Sequence, residues 1–353
     1  MIQEKTIVWF NRIRELLSKR LPLSIGGIAL LFISIKLFNY AVLEREMDDP
    51  SFQKLFNEHY RIFSLNLPAS ASFAEEKVPL ELIDVREKFD RELMVNTYWQ
   101  SNTLLYHKRA NRYFPVIEPI LKAYGVPDDF KYLAVIESGL ENVVSPAGAA
   151  GFWQLMKGSA QEYGLEVNDK IDERYNLKKS TEAACRYLKD SYKTFGSWTM
   201  AAASYNLGKS GLYKQLQRQR ANNYYDLLLN SETGRYVYRI LAVKEILNNS
   251  TKYGYYYRKS DLYPPIPTRS VAVDSTINDL AAFAKMQGIN YKILKMVNPW
   301  LRDNVLPNKS AKTYQIEIPN GELRDLKPLD LGEFTAPVNT DKNANGTDTT
   351  LAE

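Results

Sequence analysis

Three regimes of apolar and polar positions follow one another along the chain. Residues 21–35, LPLSIGGIALLFISI, run 15 positions without a charge, and the apolar character resumes after Lys36 as far as Leu43. A run of that length predicts a membrane-spanning helix over 21–43, with Lys36 snorkelling toward an interface. Residues 44–95 mix charged and apolar positions around LPASASFAEEKVP (67–79) and predict a helical stalk or linker. From residue 96 to about 260 the 3.6-residue period dominates, which predicts a mostly helical domain.

Within that domain Pro127-Asp128 opens a helix, with Asp128 as its expected N-cap. Phe130, Leu133, Ala134 and Glu137 mark its i, i+3, i+4, i+7 face, and Gly139 ends it. Ser180 or Thr181 opens another, in which Ala184, Tyr187, Leu188, Ser191, Tyr192 and Phe195 recur at helical spacing until Gly196. Ser197 caps a third, WTMAAASYNLG, closed by Gly208, and a fourth runs from Gly234 to Leu247. After the linker LYPPIPTRS (262–270) the pattern changes. SVAV reads as a strand, TINDLAAFAKMQG as a helix, NYKILKMVNPWL as a second helix stopped at Asn298-Pro299, and YQIEIP (314–319) as a returning strand. This predicts a small βααβ module over 266–320, followed by a disordered polar tail, 321–353.

Charge sets an expected orientation. Residues 1–20 carry five Lys and Arg against two Glu, whereas EREMDDP follows the apolar run, so residues 1–20 are expected in the cytoplasm and the rest beyond the membrane. A cleaved leader remains open at Asn39-Tyr40-Ala41. The net charge of +5 has no strongly basic block, so nucleic acid is not indicated as a partner. One cysteine, Cys185, and two histidines, His59 and His107, argue against disulfides, zinc sites and Cys/His or Ser/His catalysis. No metal and no cofactor is expected. Chemistry must then rest on carboxylates, hydroxyls and amides.

Glu137 is the residue that stands out, a carboxylate on an apolar helix face. Burial beside Leu133 and Ala134, and the negative dipole end of its helix, both raise a carboxyl pKa, as a general acid requires. A structural carboxylate, or a solvated one at the end of a short helix, fits the same spacing. Glu141 is not placed to converge with Glu137 if Gly139 ends the helix. Asp128 and Asp129 lie about 12 Å away along the helix, too far for a glycosidase pair. One good acid is present without an evident partner.

The motifs IESGL, SPAGAAGFWQLM, EYGLEVNDKIDERYNLKKSTEAACRYL and WTMAAASYNLG, in this order, resemble the lytic transglycosylases of bacterial cell walls, and most closely their membrane-bound murein transglycosylase D type. The resemblance covers about residues 100–250 and implies a goose-type-lysozyme-like helical catalytic domain. Carried over, the Glu-Ser motif falls on Glu137 and Ser138. The Gly-Leu-Met-Gln element falls on Gly151, Phe152, Trp153 and Gln154, with Phe and Trp replacing Leu and Met. The Ala-Tyr-Asn element falls on Ser204, Tyr205 and Asn206, with Ser in place of Ala, and Tyr236 matches a groove tyrosine. The 266–320 module resembles a LysM domain, departing from the family at VAVDSTINDLA and at Asn308; it is expected either to bind glycan or only to pack.

The resemblance implies a mechanism with Glu137 as the single catalytic residue. It protonates the glycosidic oxygen between N-acetylmuramic acid and N-acetylglucosamine, then takes a proton from the sugar's own 6-hydroxyl, leaving a 1,6-anhydromuramoyl end. Ser138, Gly151, Phe152, Gln154, Tyr205, Asn206 and Tyr236 are the expected substrate-binding set. Gly148 and Gly151 would let backbone approach the glycan, Gln154 would serve an N-acetyl group, Glu137 or the loop, and Tyr205 would bond near the acid. The expected partners are peptidoglycan strands and, through residues 21–43, an inner membrane, with the catalytic domain in the periplasm. The alternatives are a lysozyme-type hydrolase of the same fold and a non-catalytic glycan-binding scaffold.

Overall fold

The computed structural model describes residues 48–51, 53, 54 and 63–321. Residues 1–20, the expected anchor at 21–43 and nearly all of the expected tail at 321–353 lie outside the described residues. Among the described residues no helix is long and apolar enough to cross a membrane. The chain divides into Met1–Ile62 and Phe63–Glu353, and everything below belongs to the second unit.

A tight hairpin, β1 (Ser72–Phe73) and β2 (Glu76–Lys77), precedes α1 (Ile83–Tyr98) and α2 (Gln100–Tyr124). The boundary expected at residue 96 therefore falls inside a helix. Val85, Phe89 and Leu93 of α1, at i, i+4 and i+8, are fully buried in the main core, and Glu92 beside them is buried with Arg235 on its carboxylate at 2.6 Å. The mixed charge of this stretch, which reads as a stalk, is one wet face and one core face of the same helix.

Next come α3 (Lys131–Ser138), α4 (Lys157–Glu162), α5 (Leu177–Phe195), α6 (Trp198–Leu207), α7 (Lys209–Gln219) and α8 (Thr233–Asn248). The helix stops follow the glycines: Gly139 and Gly196 take left-handed φ of 63° and 68°, and Gly208 closes α6. Ser197 caps α6 as expected, its hydroxyl accepting from Met200 N. Glu76 of β2 reinforces that N-terminus, accepting from Trp198 N at 2.6 Å and Thr199 N at 2.9 Å.

Two expected caps differ. Asp128 does not cap α3; it lies in a 3-10 turn, Asp128–Phe130, and pairs with Lys131 at 2.6 Å. In α5 the cap is Asn176, accepting from Lys179 N, so the helix starts before Ser180 and Thr181. Both of those residues are fully buried, and the Thr181 hydroxyl accepts from Trp153 Nε1 at 2.8 Å. Their hydroxyls serve interior contacts.

The βααβ order of the C-terminal module is as expected. It comprises β3 (Thr268–Val273), α9 (Leu280–Met286), α10 (Tyr291–Val297) and β4 (Tyr314–Pro319), with β3 antiparallel to β4 from Thr268↔Pro319 to Val273↔Tyr314. Asp279 and Asn290 cap the two helices. Asn298, fully buried, donates to Leu294 O and Glu317 O and accepts from Glu317 N, pinning the end of α10 to β4. The module's apolar core also takes in Ala150, Ile171 and Tyr175 of the helical domain.

Candidate active site

The site is built around the last turn of α3. Leu133, Ala134, Val135 and Ile136 are all buried, and Glu137 follows them at the edge of that burial, with part of its side chain still open. Gly139 reverses the chain immediately afterwards. Two guanidinium groups satisfy carbonyls of the helix end: Arg239 Nη2 donates to Ile136 O at 2.8 Å, and Arg109 Nη1 to Gly139 O at 3.0 Å. They sit where the helix dipole is negative and oppose its effect.

The Tyr236 hydroxyl donates to Oε1 of Glu137. Burial pushes the Glu137 carboxyl up to about 7; the Tyr236 hydrogen bond and the charge of Arg239 hold it down in part, and the charge of Glu232 adds to the rise. Burial and the neighbouring carboxylate push the Tyr236 phenol well above its ordinary range, so it stays a donor. Glu232, Tyr236 and Arg239 line one face of the N-terminal half of α8, at i, i+4 and i+7 from the residue preceding the helix. That spacing is visible in the sequence, but only Tyr236 is singled out there. Glu141 turns away: its carboxylate is half-exposed and paired with Arg109 at 2.7 Å.

The loop from Val143 to Leu155 packs beside this turn. Ser138 Oγ donates to Ala134 O at 3.1 Å and Phe152 O at 2.9 Å, tying helix to loop. Phe152, expected to bind substrate, points inward together with Trp153. Phe152 is 3% exposed, with its ring edge-on to Tyr113 at 4.8 Å, and Trp153 is fully buried. Large apolar rings beside the α2 and α5 surfaces gain more by burial than by facing water. Gln154, at φ 45°, donates its amide to Val143 O at 3.0 Å and Gly151 O at 2.8 Å, the loop-holding role.

Gly151 is required for a different close approach from the one expected. Its φ is 79°, and a Cβ there would lie 2.0 Å from Arg174 O, so the tight neighbour is backbone of this chain. Tyr205 does not bond the acid: its hydroxyl donates to Trp153 O at 2.6 Å. Asn206 donates to Glu232 Oε1 at 3.0 Å and accepts from Thr233 Oγ1 at 2.7 Å, joining the end of α6 to the start of α8. Arg174, not among the expected site residues, donates to Gly148 O at 2.8 Å and Leu155 O at 3.2 Å while forking onto Asp172. Most motif residues thus fix the loop and helix ends, and Tyr236 alone of the expected set bonds Glu137. Cys185 is an interior group, its thiol pushed up to about 12 by burial.

Two parts of the chain resemble known families. Residues 115–228 match the family described as Transglycosylase SLT domain, and residues 269–322 the family described as Soluble lytic transglycosylase C-terminal LysM-like domain. The chain is 28% identical over 275 residues to the Membrane-bound lytic murein transglycosylase D of Escherichia coli (strain K12), covering 72% of this chain and 58% of that protein. It is 26% identical over 144 residues to the Putative tributyltin chloride resistance protein of Alteromonas sp. (strain M-1), covering 40% of this chain and 70% of that protein. The chain thus spans somewhat over half the length, 58%, of the murein transglycosylase relatives it matches. Residues 115–228 of this chain are thus similar to the Transglycosylase SLT domain family, and residues 269–322 to the LysM-like C-terminal domain family of soluble lytic transglycosylases.

Proposed function

We propose that this chain is a peptidoglycan lytic transglycosylase that cleaves the β-1,4 bond between N-acetylmuramic acid and N-acetylglucosamine, with Glu137 as its single acid and base. The observation that carries the reading is the Glu137 carboxyl: partly buried at the end of α3, hydrogen-bonded by Tyr236 and pushed up to about 7. A carboxyl so placed is substantially protonated near neutral pH and can give its proton to the glycosidic oxygen. The resulting carboxylate takes the proton of the muramoyl 6-hydroxyl as that oxygen attacks the anomeric carbon. The bond from the anomeric carbon to the leaving oxygen breaks, the bond to O6 forms, and the proton from O6 restores the acid. No water is consumed. Proximity of an intramolecular nucleophile makes a second carboxylate unnecessary.

The inward packing of Phe152 and Trp153 leaves the loop ends as the glycan-facing surface in this reading: Val143, Val144 and Met156 are 40%, 58% and 46% exposed. Residues 21–43 anchor the chain in an inner membrane with the catalytic domain in the periplasm, a reading supported by the charge pattern and by the word membrane-bound in the relative's name.

Hydrolysis by the same fold is the second reading, and one observation favours weighing it: Glu232, held by Asn206, places a carboxylate whose charge is felt at Glu137. Digestion of purified sacculi with mass spectrometry of the muropeptides separates the two. Anhydro ends, one water lighter, are expected; reducing ends would establish hydrolysis, and absence of cleavage would leave a binding scaffold.

A further inference from the structure

We propose that the C-terminal LysM-like module is a buttress for the active-site loop, with Arg174 as the positioning residue that transmits its docking, and not a separate glycan tether; this rests on the reading of Glu137 as the catalytic acid. The module is fastened to residues 166–178 at backbone level. Asp172 N donates to Trp300 O at 3.0 Å, Arg302 N donates to Lys170 O at 2.9 Å, and Ile171 and Leu301 pair as an isolated antiparallel bridge. Glu166 accepts from Lys312 at 2.8 Å and from the Tyr314 hydroxyl at 2.9 Å, and Lys178 pairs with Glu317 at 2.7 Å. The Arg302 guanidinium lies 4.1 Å from the Tyr175 ring centroid. Exposed ion pairs of this kind contribute little attraction singly but fix the register in which the apolar contact forms.

The docked segment is also the support of the loop. Ala150, from the loop, is 1% exposed in the same apolar cluster as Leu301, Trp300 and Tyr314. Asp172, whose backbone is held by Trp300, carries the fork of Arg174, and the Arg174 fork reaches across to Gly148 O and Leu155 O. The Arg174 side chain is 11% exposed, so these bonds are made with little water competing. From the loop the connection continues through Phe152 O to Ser138, the residue after the acid. Two of the module's large rings turn inward, Trp300 and Tyr314, each 3% exposed and stacked with centroids 5.8 Å apart, while Tyr291 at the start of α10 is 37% exposed. A tether works by holding substrate; a buttress works by holding the loop, so the two differ in which kinetic constant they move.

The test uses the full chain, amide hydrogen exchange, and kinetics on both sacculi and a short soluble glycan of alternating N-acetylglucosamine and N-acetylmuramic acid. Lys312→Glu sets a third carboxylate against Glu166 and Glu173, and Arg302→Ala removes the exposed cation over Tyr175 without touching the module core. Either variant is expected to speed exchange at residues 143–155 and to lower kcat about tenfold on both substrates, leaving KM for sacculi within about twofold. Adding Glu166→Lys to Lys312→Glu is expected to restore slow exchange and kcat. Unchanged exchange at 143–155 while residues 298–312 loosen overturns the proposal, as does a raised KM for sacculi with kcat intact on the short glycan. If the unaltered chain cleaves neither substrate, the catalytic reading falls, while the exchange result still decides the coupling.

Discussion

Tyr236 donates its hydroxyl to the carboxylate of Glu137 across 99 residues of sequence, from the first turn of α8 to the last turn of α3. A donor on the carboxylate favours the charged form, so it restrains a carboxyl that burial drives the other way. The acid is therefore set by two opposed effects, of which burial is the larger.

Tyr236→Phe removes the restraint and is expected to move the alkaline limb of kcat/KM upward by about one pH unit, since hydrogen bonds to charged groups contribute about 1.5–3 kcal/mol and one unit is about 1.4 kcal/mol. The pH profile on a soluble glycan measures it. A limb that stays in place would mean that the tyrosine does not influence the acid.

Glu232→Gln should act in the opposite direction. Its charge raises the Glu137 carboxyl, so removal lowers the alkaline limb, by less than about half a unit because Glu232 is exposed and screened. Under the transglycosylase reading the products remain anhydro-ended. A loss of cleavage in this variant, with reducing ends from the unaltered chain, would make Glu232 the water-activating base.

Glu137→Gln is expected to abolish cleavage and yet stabilise the fold at alkaline pH. The folded carboxyl titrates at about 7 against an unfolded value near 4.5, so the native state binds the proton more tightly between those values. Its contribution is fully present below about pH 4.5 and is lost as pH rises through about 7. Urea midpoints at about pH 8 should favour the Gln variant by on the order of 1–3 kcal/mol, with the difference vanishing at about pH 4.

Gly151→Ala is expected to cost about 1–3 kcal/mol and most of the activity, because its Cβ would meet Arg174 O at 2.0 Å and its φ of 79° disfavours a side chain. Chemical denaturation and turnover on sacculi check it. Retention of full activity would show that the close approach of loop and Arg174 backbone is not needed for the geometry of the acid.

Local rules of the chain account for the helix ends and for the small module. Gly139, Gly196 and Gly208 end helices because the left-handed or extended-Gly geometry is open to them, Ser197 caps α6 because its hydroxyl reaches Met200 N, and the βααβ module is readable from strand alternation and Asn298-Pro299. Glu137 stood out as a carboxylate at a helical apolar position, and its partial burial follows from Leu133 and Ala134 beside it. The remaining features depend on contacts between distant segments. Whether Phe152 faces a glycan or Tyr113, whether Tyr205 or Tyr236 reaches the acid, whether α1 is stalk or core, and whether the LysM-like module rests on Ile171 all depend on which distant surfaces meet. Local spacing fixes the face of a helix on which a side chain lies; its partner is chosen by packing between segments far apart in sequence, where burial of apolar area and satisfaction of polar groups are settled together.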